Sequence, residues 1–178
     1  ETFYNTSLNK YQFLRIPGDY ILRRFEAATI YVYRPGYAAK HLFELRYRDY
    51  NVKDTIVKLN PDYFEGASAN LKMLDLSYRY ELNKVDNWNY PMTGFKAVGN
   101  VAVRAGWEGF NFQTFAKIEA AQFYKLKPKW YTASIFRGRL MYPEKQPYTF
   151  RYALGLQPDY VRGYEYYVID GSQFGLLR

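Results

Sequence analysis

The stretch Leu71-Lys72-Met73-Leu74-Asp75-Leu76-Ser77-Tyr78-Arg79-Tyr80-Glu81-Leu82 decides the fold. Leu74, Leu76, Tyr78, Tyr80 and Leu82 fall on one side of an extended chain, and Met73, Asp75, Ser77, Arg79 and Glu81 on the other. Successive side chains of a strand point to opposite faces, whereas a helix would mix the two sets. The segment therefore reads as a β-strand with one apolar and one charged face.

Five further runs, at about 20–34, 37–50, 94–106, 111–125 and 130–142, repeat the pattern around 71–83. Their apolar faces carry Phe25, Ala27 and Tyr31; His41, Phe43 and Leu45; Phe95, Val101 and Val103; Thr114, Ala116 and Ile118; and Trp130, Phe136 and Leu140, with Gly138 as an interruption. The opposite faces hold Arg24, Glu26, Lys40, Glu44, Arg46, Arg48, Asp75, Arg79, Glu81, Lys96, Arg104, Lys117, Glu119, Arg137 and Arg139. Strands of soluble proteins centre on about 5–6 residues. Crossing a bilayer takes roughly 9–11 residues at a tilt, and these runs are longer than that.

The 178 residues suffice for one domain with a sizeable core. A content of 21% aromatic residues excludes disorder, whose signature is few aromatics. No uncharged stretch is long enough for a membrane helix. Absence of cysteine and a single histidine, His41, exclude disulfides and multi-histidine or Cys-ligated metal sites, and no cofactor is expected. His41 lies on an apolar face, away from Asp75 and Glu81, which suits an interfacial aromatic and not a catalytic base. Neither a nucleophile elbow, a Walker A loop nor a dinucleotide fingerprint occurs, so the chain is not read as an enzyme. Its 25 basic residues outnumber 17 acidic ones, but no concentrated basic stripe points to nucleic acid.

Alternation alone leaves two architectures: a soluble lipocalin-like barrel, polar outside, or a membrane barrel, polar inside. Short connections at Arg34-Pro35-Gly36-Tyr37 and Lys125 to Lys129, against long ones at about 51–70 and 143–170, favour the membrane barrel, although the brief Gly106-Trp107-Glu108-Gly109-Phe110 falls on the side where a long one is wanted. Tyr33, Tyr37, Tyr47, Tyr80, Trp107, Tyr124, Trp130 and Tyr142 stand near strand ends, as interfacial girdles require. The expected fold class is all-β, an antiparallel meander forming part of a transmembrane barrel. Opposed signs at Glu44 and Arg46, and at Lys117 and Glu119 facing Arg137 and Arg139, predict a cross-strand charge ladder; an ion-selective pore is the alternative.

Two motifs resemble one family. Val161-Arg162-Gly163-Tyr164, in the longest late loop, is similar to the V/I-R-G-F/Y tetrapeptide of the outer-membrane assembly superfamily that includes BamA, TamA and the two-partner secretion transporters. Tyr90-Pro91-Met92-Thr93-Gly94-Phe95 resembles that family's periplasmic turn. Gly155 stands alone where the family often has a Gly-Gly pair.

The resemblance implies that residues 1–178 are an interior piece of a barrel of about sixteen strands. POTRA-like periplasmic domains and the final strands would lie outside the sequence. It implies a bacterial outer-membrane location and a role in inserting or translocating proteins. The implied partners are outer-membrane lipids including lipopolysaccharide, client outer-membrane or secreted proteins, and accessory periplasmic or lipoprotein subunits. It further implies that Arg162 docks inside the lumen against a carboxylate on strands that follow the loop, beyond Arg178; Glu44, Asp75, Glu81 and Glu119 are the weaker candidates within the sequence. A passive channel and a barrel anchor for a fused enzymatic domain are the alternative functions.

Overall fold

Alternation held over a dozen residues leaves the backbone one economical way to satisfy its polar groups, a ladder with each sequence neighbour. The computed structural model describes residues 2–5, 10–13, 20–59, 61, 63–64, 68–107, 112–144, 152–154 and 169–178. The elements are β1 (Thr2–Asn5), β2 (Lys10–Phe13), β3 (Leu22–Tyr33), β4 (Ala39–Val52), α1 (Asp54–Leu59), β5 (Asn70–Val85) and β6 (Gly94–Trp107). They continue with β7 (Gln113–Lys127), β8 (Trp130–Tyr142), β9 (Tyr152–Leu154), β10 (Ile169–Asp170) and β11 (Phe174–Leu177). Seven of the strands form one antiparallel sheet in the order β11-β8-β7-β6-β5-β4-β3. The chain is thus all-β, an antiparallel meander.

All six expected runs are strands, with boundaries close to those read from the pattern; 71–83 became Asn70–Val85. Gly138 does not interrupt β8: it pairs with Ile118 in an unbroken stretch of ladder. β11 pairs with β8, Leu176 standing opposite Arg137. Three features have no counterpart in the sequence pattern: the antiparallel β1–β2 pair, the helix α1, and the β9–β10 pair between β8 and β11.

Register fixes the two faces. Leu76 sits between Leu45 and Val103, and Asp75 between Arg46 and Arg104. The apolar face is open: Leu76 and Leu140 are each 59% exposed. On the other face, Asp75 is 5% and Arg104 8% exposed. Cross-strand ring contacts line the apolar side, among them Tyr31 with Phe43 at 6.3 Å and Phe43 with Tyr78 at 5.0 Å between centroids. Such pairs are the unit of sheet stabilisation.

The connections sort by end. Residues 34–38, 86–93 and 128–129 join strands at one end, while Val52, Asn70, Trp107, Gln113 and Tyr142 mark the strand ends at the other. At the latter end Ile21, Tyr50, Val52, Ile56, Phe64, Leu71 and Met73 form the buried apolar cluster. Tyr50, Leu71 and Met73 belong to the charged face by parity, so α1 and its flanks lie over that face. Asp54 in the first turn and Lys58 in the last complement the helix dipole.

Candidate functional site

The charged face carries a continuous ion-pair network across four strands. On β3, Glu26 Oε2 accepts from Arg46 Nη1 at 2.9 Å and lies 3.8 Å from Arg48 Nε on β4. Arg48 Nη1 reaches Asp75 Oδ2 on β5 at 2.6 Å, and Arg104 Nε on β6 donates to the same oxygen at 3.2 Å. The Arg104 guanidinium then lies over the Phe115 ring on β7, 5.0 Å from its centroid. Arg46 also pairs with Glu44, and the Tyr50 hydroxyl donates to Glu26.

Two smaller groups accompany it. Glu81 takes Arg79 Nε at 2.7 Å and Lys40 at 3.6 Å. Arg137 grips Glu119 in a fork, Nε to Oε2 at 3.1 Å and Nη2 to Oε1 at 3.4 Å, a geometry suited to a planar guanidinium. Lys117 stands opposite Arg139 in register, like charge against like. Ion pairs cross between strands at Arg46–Glu26, Arg48–Asp75, Arg104–Asp75, Lys40–Glu81 and Arg137–Glu119, whereas Glu44–Arg46 and Arg79–Glu81 pair along a single strand; of the expected ladder, Arg137–Glu119 forms across strands.

Burial separates these pairs energetically. Asp75, Arg104 and Arg48 side chains are 7%, 10% and 15% exposed, so their pairing is little screened by water. Pairs in such surroundings are costly to break, at about 3–5 kcal/mol when one partner is removed. The more exposed pairs contribute on the order of 0.2–1 kcal/mol each. Asp75 Oδ1 and Gln113 Oε1 are buried and have no hydrogen-bond partner among the described residues.

The turn motif is built by side-chain carbonyls. Asp86 Oδ1 accepts from the backbone N–H groups of Asn87, Met92 and Thr93, and Asn87 Oδ1 from those of Asn89 and Tyr90. The Thr93 and Met92 N–H groups hold the Asp86 carboxyl below its usual value. Pro91 lies within the loop this clamp closes, and Tyr90 is exposed. Gly94 then opens β6 at φ 114°, where a Cβ would stand 2.2 Å from the Lys84 carbonyl oxygen, so only glycine fits.

His41 sits on the apolar face as expected: its Nδ1 is 2.8 Å from the Tyr78 hydroxyl, and its ring is 5.0 Å from that of Tyr80. Val161, Arg162, Gly163 and Tyr164 lie outside the described residues. Among the described residues no cluster of acidic or histidine side chains could hold a metal ion, and no helix is long and apolar enough to cross a membrane. Sequence reasoning placed Glu26 and Arg48 on the charged face without singling them out; the register that sets Glu26 opposite Arg48, and Arg48 diagonal to Asp75, brings them together only once the strand pairing is known. The chain matches no protein-family model, no curated protein and no solved structure.

Proposed function

We propose that the chain is part of a bacterial outer-membrane β-barrel of the BamA/TamA type, which inserts or translocates proteins. The observation that carries the membrane half of this reading is the inverted burial. An ion-paired face with Asp75 at 5% exposure backs an apolar face with Leu76 at 59%. A soluble sheet would hide the second face and wet the first; a barrel in lipid does the reverse. Strands of 12 to 16 residues also suit a tilted crossing. The insertion or translocation half rests on the Val161-Arg162-Gly163-Tyr164 and Tyr90-Pro91-Met92-Thr93-Gly94 resemblances.

In this reading the charged wall surrounds a water-filled lumen, and the loop carrying Arg162 docks there against a carboxylate. Leu76→Arg tests the orientation. On a lipid face near the bilayer midplane an arginine costs about 2–4 kcal/mol, so insertion into vesicles falls sharply, whereas Arg79→Leu is mild. Equal tolerance at the two positions would overturn the membrane reading. Deletion of Pro158–Tyr167 tests the loop: single-channel conductance rises when an occluding segment is lost, and is unchanged in a passive channel.

A further inference from the structure

The end of the sheet with the short connections is chemically unlike the other. It carries Arg34, Lys84, Lys125, Lys127 and Lys129, all exposed. The acid in those connections, Asp86, already accepts three backbone hydrogen bonds. At the long-connection end, Lys53, Lys58 and Lys72 are interspersed with Asp49 and Asp54.

The basic charge concentrates in the β7–β8 hairpin, Lys125-Leu126-Lys127-Pro128-Lys129-Trp130. Its ladder pairs Lys125 with Tyr131 and Lys127 with Trp130, leaving Leu126 as a bulge. That extra residue shifts parity. Without it Lys127 would share the face of Lys125; with it Lys127 stands beside Trp130, on the apolar face at its rim. Lys125 lies over the Tyr131 ring at 5.8 Å, and Lys129 occupies the turn at φ 75°. Trp130 is 69% exposed and Leu126 63%. Lys127, Trp130 and a continuous apolar band therefore meet along one line with Lys129 in the turn beside them, while Lys125 and Tyr131 lie on the opposite, charged face.

We infer that this hairpin rim binds the phosphate headgroups of anionic phospholipids, the apolar band below it taking their acyl chains. The inference rests on the membrane reading above and names the lipid chemistry of one leaflet. Charge complementarity selects an anion. Trp130, on the apolar face, is of a residue type that settles at a bilayer interface. An acidic protein would satisfy the lysines but leave Trp130, Leu126 and the apolar band uncovered.

The test uses the full-length protein in uncharged detergent, with native mass spectrometry counting bound palmitoyl-oleoyl phosphatidylglycerol against the phosphatidylcholine analogue. The expected preference for phosphatidylglycerol is about tenfold or more, scaling with Lys127 and Lys129, and it declines as salt rises. Lys127→Gln/Lys129→Gln brings it to the phosphatidylcholine level, while Lys53→Gln/Lys58→Gln at the opposite end preserves it. No preference in the wild type, or a preference that survives the double substitution, overturns the inference. So does displacement of the lipid by a polyglutamate peptide at equal concentration, which would mark an acidic protein site instead. Wild-type protein that inserts into vesicles yet shows no preference sinks this inference alone; protein that stays out of vesicles sinks the membrane reading with it.

Discussion

Removing the Asp75 carboxylate should be the most damaging single change on the charged face. Its Oδ2 holds Arg48 at 2.6 Å and Arg104 at 3.2 Å. Asp75→Ala therefore leaves two guanidinium groups facing one another with the intervening anion gone, on side chains 15% and 10% exposed. Breaking a buried pair from one side costs about 3–5 kcal/mol, most of it the penalty of the stranded cation. Glu119→Gln provides the contrast: Glu119 is 39% exposed, and loss of its pairing with Arg137 should cost under about 1 kcal/mol. The assay is equilibrium urea unfolding in detergent micelles, followed by tryptophan fluorescence. Adding Arg104→Met to Asp75→Ala should recover part of the loss, because one stranded charge leaves with it, giving a coupling energy of roughly 0.5–3 kcal/mol. An Asp75→Ala cost no larger than that of Glu119→Gln, or strictly additive Asp75 and Arg104 changes, would refute the reasoning.

Gly94→Ala puts a Cβ against the Lys84 carbonyl at φ 114°, so the β5–β6 connection should loosen by roughly 1–3 kcal/mol, read as faster amide exchange in 86–95. The Asp86 carboxyl is held below its usual 3.8 by N–H groups present in the folded turn. That contribution is complete above the unfolded value and is lost as pH falls through the lower folded one, so Asp86→Asn should flatten the acid limb of turn protection below about pH 4. Ile56 is 1% exposed at the centre of the apolar cluster, and Ile56→Ala should cost about 2–5 kcal/mol, detected as new trypsin cleavage at Lys53 and Lys58 while the sheet stays intact.

Strands and faces were legible because each strand carries the signal within itself. Leu74, Leu76, Tyr78 and Tyr80 declare their side without reference to any partner. Partner choice within the charged face was not legible. Arg46 lies opposite Asp75 yet bonds Glu26 and Glu44, while Arg48, opposite Met73, reaches Asp75 diagonally. Long flexible guanidinium side chains make such selections in three dimensions, after register is set. α1 was hidden for a different reason: six residues give less than two turns, too few for a helical period to rise above a loop. The Leu126 bulge left no composition signal, since Lys-Leu-Lys reads equally well as plain alternation. Of the candidate site, the turn motif was legible through Gly94, whose positive φ explains the glycine; the Val161–Tyr164 motif was legible as a sequence pattern.

The unbroken ladders from β3 through β7 have a consequence for how this sequence can change over time. Across those strands no register shift occurs, so inside and outside are kept by counting in twos. Gain or loss of one codon within a strand would reverse every side chain beyond it up to the next connection, exchanging Arg79 and Glu81 for Tyr78 and Tyr80 on the wrong side. Gain or loss of two would preserve orientation and shift only the pairing. The connections absorb either kind of change, because parity restarts at each strand. Length variation should therefore pool at 53–69 and 143–173, and within strands should appear in even steps or be accompanied by a compensating bulge such as the one at Leu126.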